Sequence, residues 1–213
     1  MAKFIKSSYE ILTDISEGGL EELKLIEKAC RVCYKSEDKI TDDGESAKAL
    51  IKSCLGRGHE SPIEHSILTV KFVCDRGVTH EMVRHRLASY SQESTRYCNY
   101  SKDKFGNEIT FVLPDSYFDD DGNLINEECA LVEACRDAET HYFRMINDEH
   151  KTPQEARAVL PQCLKAEIIM SANYREWRHF FELRCSKAAH PDIRKLACGL
   201  RDELRERIPV IFD

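Results

Sequence analysis

The chain has 213 residues, enough for one domain or one domain with a small appendage, and a chain of this size buries roughly 70% of the surface that its unfolded form exposes. Its 42% hydrophobic and 32% charged content reads as soluble and globular, and no apolar run approaches the ~20 residues of a membrane-spanning helix. The net charge of −7 argues against a general binder of nucleic acid or anionic membrane, so an anionic ligand must be held by local basic clusters. The opening residues, MAKFIKSSYE, lack an apolar signal-peptide core, which predicts a cytoplasmic protein with reduced thiols.

Leu23, Ile26, Cys30 and Cys33 recur at helical spacing and predict a helix over about 20–33. The Cys30–Cys33 CxxC has no second CxxC to partner it. Packing on one face with Leu23 and Ile26 is therefore preferred over a redox pair or half a zinc site. A second helix follows near 45–56, with Ala47, Leu50, Ile51 and Cys54 inward and Gly56 and Gly58 at its end. Leu68, Val70, Phe72 and Cys74 alternate with Thr69, Lys71 and Val73, which predicts a strand over 67–74. Val78, Met82, Val83 and Leu87 return to helical spacing over 78–88. Residues 98–112 read as a hairpin turning at Gly106-Asn107, with Ile109 to Val112 as the returning strand.

Residues 119–123 form a solvated loop, and a long helix is expected over about 125–147. Thr152-Pro153 opens another helix with a capping hydroxyl and a proline at its first position, and Pro161 interrupts it. Helix is expected to continue through Leu164, Ile168 and Ile169, then through Trp177, Phe180, Phe181 and Arg184. The last helix starts at Pro191-Asp192 and buries Ile193, Leu196, Ala197, Leu200 and Leu204. No internal repeat or low-complexity segment is visible. The sum is an α/β or α+β fold with a helix-rich C-terminal half.

Chemistry concentrates in four places. Arg84-His85-Arg86 precedes seven residues and then Ser94, inside RHRLASYSQESTRY. Successive residues on a helix turn by about 100°, so Arg84 and Arg86 must serve different neighbours, either two bound molecules or two subunits. The segment after them, with Ser89, Ser91, Gln92, Ser94, Thr95 and Arg96, offers hydroxyls, amides and a guanidinium for an anion cradle, or simply a polar loop. His59-Glu60-Ser61-Pro62-Ile63-Glu64-His65 is not a HExxH zinc site, because its second histidine lies six residues after the first. Arg157 follows Pro153 by one turn, with a surface pair to Glu155 or Gln154 as its plain alternative. Arg175, His179 and Arg184 share one broad helix face, opposite Trp177, Phe180 and Phe181.

These four motifs, in this order, resemble the flavin-dependent thymidylate synthases, and the resemblance runs from about residue 20 to about 200. The family pattern is RHR, seven residues, then Ser, which the chain matches in full; H-E-[ST]-P-x-E-H and ARxxLP also match. The resemblance implies one domain over 1–213, a helix-rich fold around a central, mostly antiparallel sheet. It implies a methyltransferase that converts dUMP to dTMP, with FAD as cofactor, NADPH as reductant and 5,10-methylenetetrahydrofolate as carbon donor. It assigns FAD to Ser61, Arg84, His85, Arg86, Gln92, Asn173, Tyr174, Arg175 and His179, with His59 near flavin and folate. It assigns dUMP to Glu81, Met82, Val83, Arg84, Gln92, Glu93, Ser94, Thr95, Arg96, Arg157 and Arg184. Many relatives carry Glu where Gln92 stands, which keeps hydrogen bonding but loses a charge. Arg184 is the expected catalytic group, activating the pyrimidine without a cysteine nucleophile and without a metal. A cytoplasmic homotetramer with active sites at subunit contacts is implied.

Two other readings stand beside this one. Leu160-Pro161-Gln162-Cys163-Leu164 faintly echoes the nucleophile segment of the cysteine-dependent thymidylate synthases, without the histidine expected after the cysteine. Arg84, Arg86, Arg96, Tyr90, Tyr97 and Tyr100 could instead stack on single-stranded RNA, against which the acidic net charge argues.

Overall fold

Alternating burial along two nine-residue strands sets the frame. The computed structural model describes residues 1–213. Strands β1 (Lys3–Ile5) and β2 (Ser8–Ile11) open the chain, followed by helices α1 (Leu20–Val32) and α2 (Glu45–Gly56). Then come β3 (Ile67–Asp75), α3 (Arg76–Met82), β4 (Ala88–Gln92), β5 (Thr110–Val112) and α4 (Ala130–Asn147). The short α5 (Pro153–Ala156), β6 (Lys165–Asn173), α6 (Tyr174–Arg184), α7 (Pro191–Arg207) and α8 (Pro209–Phe212) complete it. One sheet has the order β2-β3-β6-β4 and is mostly antiparallel; a second joins β1 to β5. The mixed helix-and-sheet class expected from the sequence is the one observed.

Strands β3 and β6 end alike. Each is followed by a side-chain-capped helix: Asp75 accepts from the backbone N–H of Val78, and Asn173 from that of Glu176. An Asx residue leaving an extended strand satisfies an otherwise orphaned helix N–H, so the strand-to-helix change needs no intervening loop.

The chain is organised as two compact units, each visited more than once. The first comprises Met1–Ser8, Phe72–Arg84 and Ser91–Ile168. Its core gathers Tyr100, Ile109, Phe111, Cys135, Tyr142, Ala156 and Leu164, with a smaller cluster of Leu113, Phe118 and Val132. The buried Glu139 carboxylate is satisfied by accepting from the Ile109 backbone N–H at 2.9 Å. The second unit comprises Tyr9–Lys71, His85–Tyr90 and Ile169–Asp213. There α1 packs on α2, and Trp177, Phe180 and Phe181 of α6 form an aromatic cluster with Phe212. The Trp177 indole donates to the Leu68 carbonyl at 3.0 Å. Glu27, fully buried, pairs with Arg31 at 2.7 Å and accepts from the Ser46 hydroxyl at 2.9 Å.

Several expectations are corrected. Cys33 is exposed at the C-terminal end of α1, one turn past the packed stripe, and Cys30 instead meets Cys54 of α2 with sulfurs 3.5 Å apart. The helix expected to reach residue 88 stops at Met82, because Ala88–Gln92 is extended as β4 beside β6; Leu87 is 75% exposed. Arg84-His85-Arg86 therefore lies between helix and strand, not on a helix. Gly106 and Asn107 do turn the chain with φ of 71° and 52°, but β5 pairs in parallel with the N-terminal β1, aligning Phe4 with Phe111, rather than returning as a hairpin. The long helix begins at Ala130, not 125. Lys165–Asn173 is a strand where helix was expected: Ala166, Ile168, Met170 and Ala172 are buried alternately, and adjacent Ile168 and Ile169 masked that period.

Gly44 caps α2 with φ at 76°, and a Cβ there would run into Leu20 Cδ1, whereas Gly18, with φ at 64°, faces open space. Gly18→Ala should cost about 1–2 kcal/mol of backbone strain, and Gly44→Ala a further ~1–3 kcal/mol of overpacking. Denaturant unfolding of both variants checks this; equal losses would contradict the packing of Gly44 against Leu20.

Candidate active site

In the second unit, α6 carries a connected set of polar groups. Glu176, in the first turn after the Asn173 cap, is buried and lies 3.2 Å from His85 Nδ1. On the other side of the same imidazole, Arg184 Nε donates to His85 Nε2 at 3.0 Å. The His85 ring is buried, edge-on to Phe180 at 4.9 Å and to His179 at 5.9 Å between centroids. Tyr90 donates to the His85 carbonyl at 2.8 Å, so the backbone is held as well as the ring. Burial, with the nearby Arg184 and His179, pulls the His85 pKa down to about 4. Burial pushes the Glu176 carboxyl above its usual range, with His179 opposing.

The segment His59–His65 meets the same helix. Arg175 Nη1 donates to Glu64 at 2.6 Å and its Nε lies 3.5 Å from Glu60; Arg178 Nε is 3.3 Å from the other Glu60 oxygen. His59, Ser61, Arg86, Arg175 and His179 are exposed. Tyr174 is fully buried, its ring 5.4 Å from Phe212 and its hydroxyl without a hydrogen-bond partner, so a ligand can reach it only through its backbone.

In the first unit, the loop after β4 meets α5. Thr95 Oγ1 accepts from Arg157 Nη1 at 3.1 Å, and Arg96 Nε donates to Gln154 at 2.8 Å. Ser94 accepts from the Arg96, Tyr97 and Cys98 backbone N–H groups, through its hydroxyl for the first and its carbonyl for the others. The capping box of Thr152 and Glu155 fixes the turn that presents Gln154 and Arg157. Gln92 donates to Thr79 Oγ1 at 3.0 Å. Glu93 is committed internally, 3.0 Å from Lys165 Nζ and accepting from the Tyr100 hydroxyl at 3.1 Å. Met82 is buried, while Val83, Arg84, Arg96 and Arg157 are exposed and Glu81 is half-buried. Arg96, Arg157, Ser94 and Thr95 are thereby linked around the loop after β4 and α5.

The four places singled out in the sequence thus converge in pairs. The Gln92–Arg96 loop joins the Arg157 turn, and His85 and the His59–His65 segment join α6. Sequence reasoning missed Glu176; its signal was an acid three residues past an Asn helix cap, on the helix carrying His179 and Arg184. His85, Glu176 and His179 have ligating atoms within 4.8 Å of one another, a spacing that would suit a metal ion. Both His85 nitrogens, however, already have partners, and one of them is a guanidinium, whose charge opposes a bound cation.

The family described as Thymidylate synthase complementing protein matches residues 19–210. The chain belongs to the flavin-dependent thymidylate synthase family. The flavin-dependent thymidylate synthase of Pyrococcus abyssi is 34% identical over 177 residues, 81% of this chain and 68% of that protein. That of Geobacter sulfurreducens is 34% identical over 189 residues, 86% and 78% of the two chains. The solved UMP/dUMP methylase PolB from Streptomyces cacaoi, bound with 5-Br dUMP, shares the fold with a TM-score of 0.76 at 23% identity, over 99% of this chain and 95% of that one. In this member of the flavin-dependent family, the Arg84-His85-Arg86 motif places its histidine inside and both arginines outside.

The depressed His85 pKa sets a pH dependence. Its folded value, about 4, lies below the ~6.5 of an unfolded histidine, so the unfolded chain binds the extra proton first. The stabilisation is complete above pH ~6.5 and is lost as pH falls toward about 4. Across that window the wild type should lose on the order of 3 kcal/mol more stability than His85→Gln. Unfolding at several pH values measures it, and a constant difference between the proteins would contradict it.

Proposed function

We propose that the chain methylates dUMP to dTMP as a flavin-dependent thymidylate synthase, with 5,10-methylenetetrahydrofolate as carbon donor and NADPH as reductant. The observation that carries this reading is the family match over residues 19–210, with Arg84-His85-Arg86, the seven-residue interval and Ser94 intact. The cofactor is FAD. The donor set suits it. Arg175 is fixed by Glu60 and Glu64 through Nε and Nη1, leaving Nη2 to donate, and the exposed Ser61 hydroxyl and Arg86 guanidinium suit a phosphate and a polar ring edge. Ser61, Arg86, Asn173, Arg175 and His179 are the residues that would hold it, with Arg84 and Gln92 added by the family pattern. When bound, FAD supplies the hydride, so the folate leaves as tetrahydrofolate.

The protein's own part is positioning and electrostatics. Ser94, Thr95, Arg96 and Arg157 take the nucleotide, the two guanidinia matching its phosphate. Methylation at C5 needs that carbon made nucleophilic, and a cation at O2 or N3 does this by stabilising the N3-deprotonated form of the ring, whose added electron density reaches C5, without a covalent enzyme bond. The family pattern gives that role to Arg184, whose guanidinium plane is held by His85.

A passive part fits Cys185: burial together with Cys198 pushes its thiol up to about 12. Cys163 lies 3.4 Å from Cys135 beside the first unit's core, and its hydrogen bond to Cys135 lowers its pKa. Tyr100, buried against Tyr142, is not available to stack on RNA. The reading includes a cytoplasmic homotetramer. With Arg84-His85-Arg86 off the helix, the helix-geometry argument for shared sites falls away, and support comes from the largely exposed Leu87 and Tyr97 flanking the motif.

Arg184→Ala should keep FAD and lose about 100- to 1000-fold in dTMP formation. Arg184→Lys should recover little of this, because a point charge does not reproduce the guanidinium fork. Cys163→Ser and Cys185→Ser should stay active. NADPH-dependent dTMP formation by proteins of confirmed flavin occupancy checks all four. An inactive, flavin-loaded Cys→Ser variant beside an active Arg184→Ala variant would overturn the reading.

A further inference from the structure

The imidazole of His85 has two different neighbours, and their chemistry dictates where its single proton sits. Arginine is a donor only. Because Arg184 Nε donates to Nε2 at 3.0 Å, Nε2 must be the unprotonated nitrogen. The proton is then on Nδ1, which faces the Glu176 carboxylate at 3.2 Å. In the opposite tautomer an N–H on Nε2 would confront the Arg184 N–H, and Nδ1 would present a lone pair to a carboxylate. Both contacts would be repulsive, and the burial of the imidazole and of the Glu176 carboxylate leaves little water to screen them. The carboxylate is itself fixed: Glu176 sits in the turn capped by Asn173, and its backbone N–H is the one that Asn173 accepts from.

We propose that Glu176 is a positioning residue that acts on Arg184 through His85, locking the imidazole in its Nδ1–H form so that Nε2 holds the guanidinium plane. Glu176 touches neither substrate nor cofactor in this scheme. The proposal deepens the thymidylate synthase reading and rests on it for the activity that the scheme serves. It also gives His85 a different task from the flavin contact implied by family resemblance, since both its nitrogens are already engaged.

Nitrogen-15 NMR of histidine-labelled protein reads the tautomer directly, without substrate or turnover. The wild type should show His85 protonated on Nδ1. Glu176→Ala should shift His85 to mixed tautomers and lower kcat/KM for dUMP by about 10- to 100-fold, the usual loss when the partner orienting a functional histidine is removed. FAD affinity, from flavin fluorescence, should stay unchanged. Glu176→Gln, whose side-chain carbonyl still accepts from Nδ1–H, should restore the tautomer and most of the activity. A wild-type His85 protonated on Nε2, an unaltered kcat/KM in Glu176→Ala, or loss of FAD in step with activity would each overturn the proposal. If the wild type forms no dTMP, the functional reading fails, and the tautomer in the wild type and in Glu176→Ala still decides this inference.

Discussion

A buried imidazole with a carboxylate on one nitrogen and a guanidinium on the other constrains everything around it. The charges of Glu176 and Arg184 flank the buried His85 ring; Glu176 is buried and Arg184 half-buried, and an unsatisfied buried partner costs a full desolvation penalty. The arrangement is tolerable only if the ring, the α6 turn carrying Glu176 and the turn carrying Arg184 keep their relative positions. The surrounding structure supplies that rigidity. Phe180 presses edge-on against the imidazole, Trp177 anchors the helix to the Leu68 carbonyl, and Tyr90 holds the His85 carbonyl. A preorganised cation is the means by which such a site would activate a pyrimidine, because charge placed before the reaction needs no reorganisation during it.

The acidic chain pairs several of its arginines locally. Arg175 and Arg178 are tied to Glu60 and Glu64, and Arg96 and Arg157 are tied to Gln154 and Thr95. Exposed pairs of this kind add little stability. Their value lies in holding long side chains in one geometry, so that on the proposed function less rotamer freedom would be lost on binding a phosphate.

Much of this was legible in the sequence, and the failures have physical causes. Period-two burial of Leu68, Val70, Phe72 and Cys74 marked β3 because one face is fully buried. The same period in β6 was hidden by Ile169 on the opposite face, and α3 was overextended because Val83 and Leu87 kept the helical period while facing solvent. No local signal could reveal that β5 pairs with β1, a contact spanning more than a hundred residues. The basic motif was found, but its internal division was not, since burial of His85 depends on Phe180 and Glu176, about ninety residues away in sequence. Of the residues the motifs name, His85 and Arg184 meet in the structure; Glu176, which contacts His85, carried only the faint signal of its place in a capped helix.

On the proposed function, a flavin, and not the folate, supplies the reducing equivalents for dTMP formation on this chain. Anaerobic single turnover tests it most directly: protein with pre-reduced FAD is mixed with dUMP and methylenetetrahydrofolate, and flavin absorbance, dTMP and folate product are followed together. One flavin should be oxidised for each dTMP formed, with tetrahydrofolate as the folate product. Formation of dTMP with dihydrofolate and no change in the flavin would contradict it.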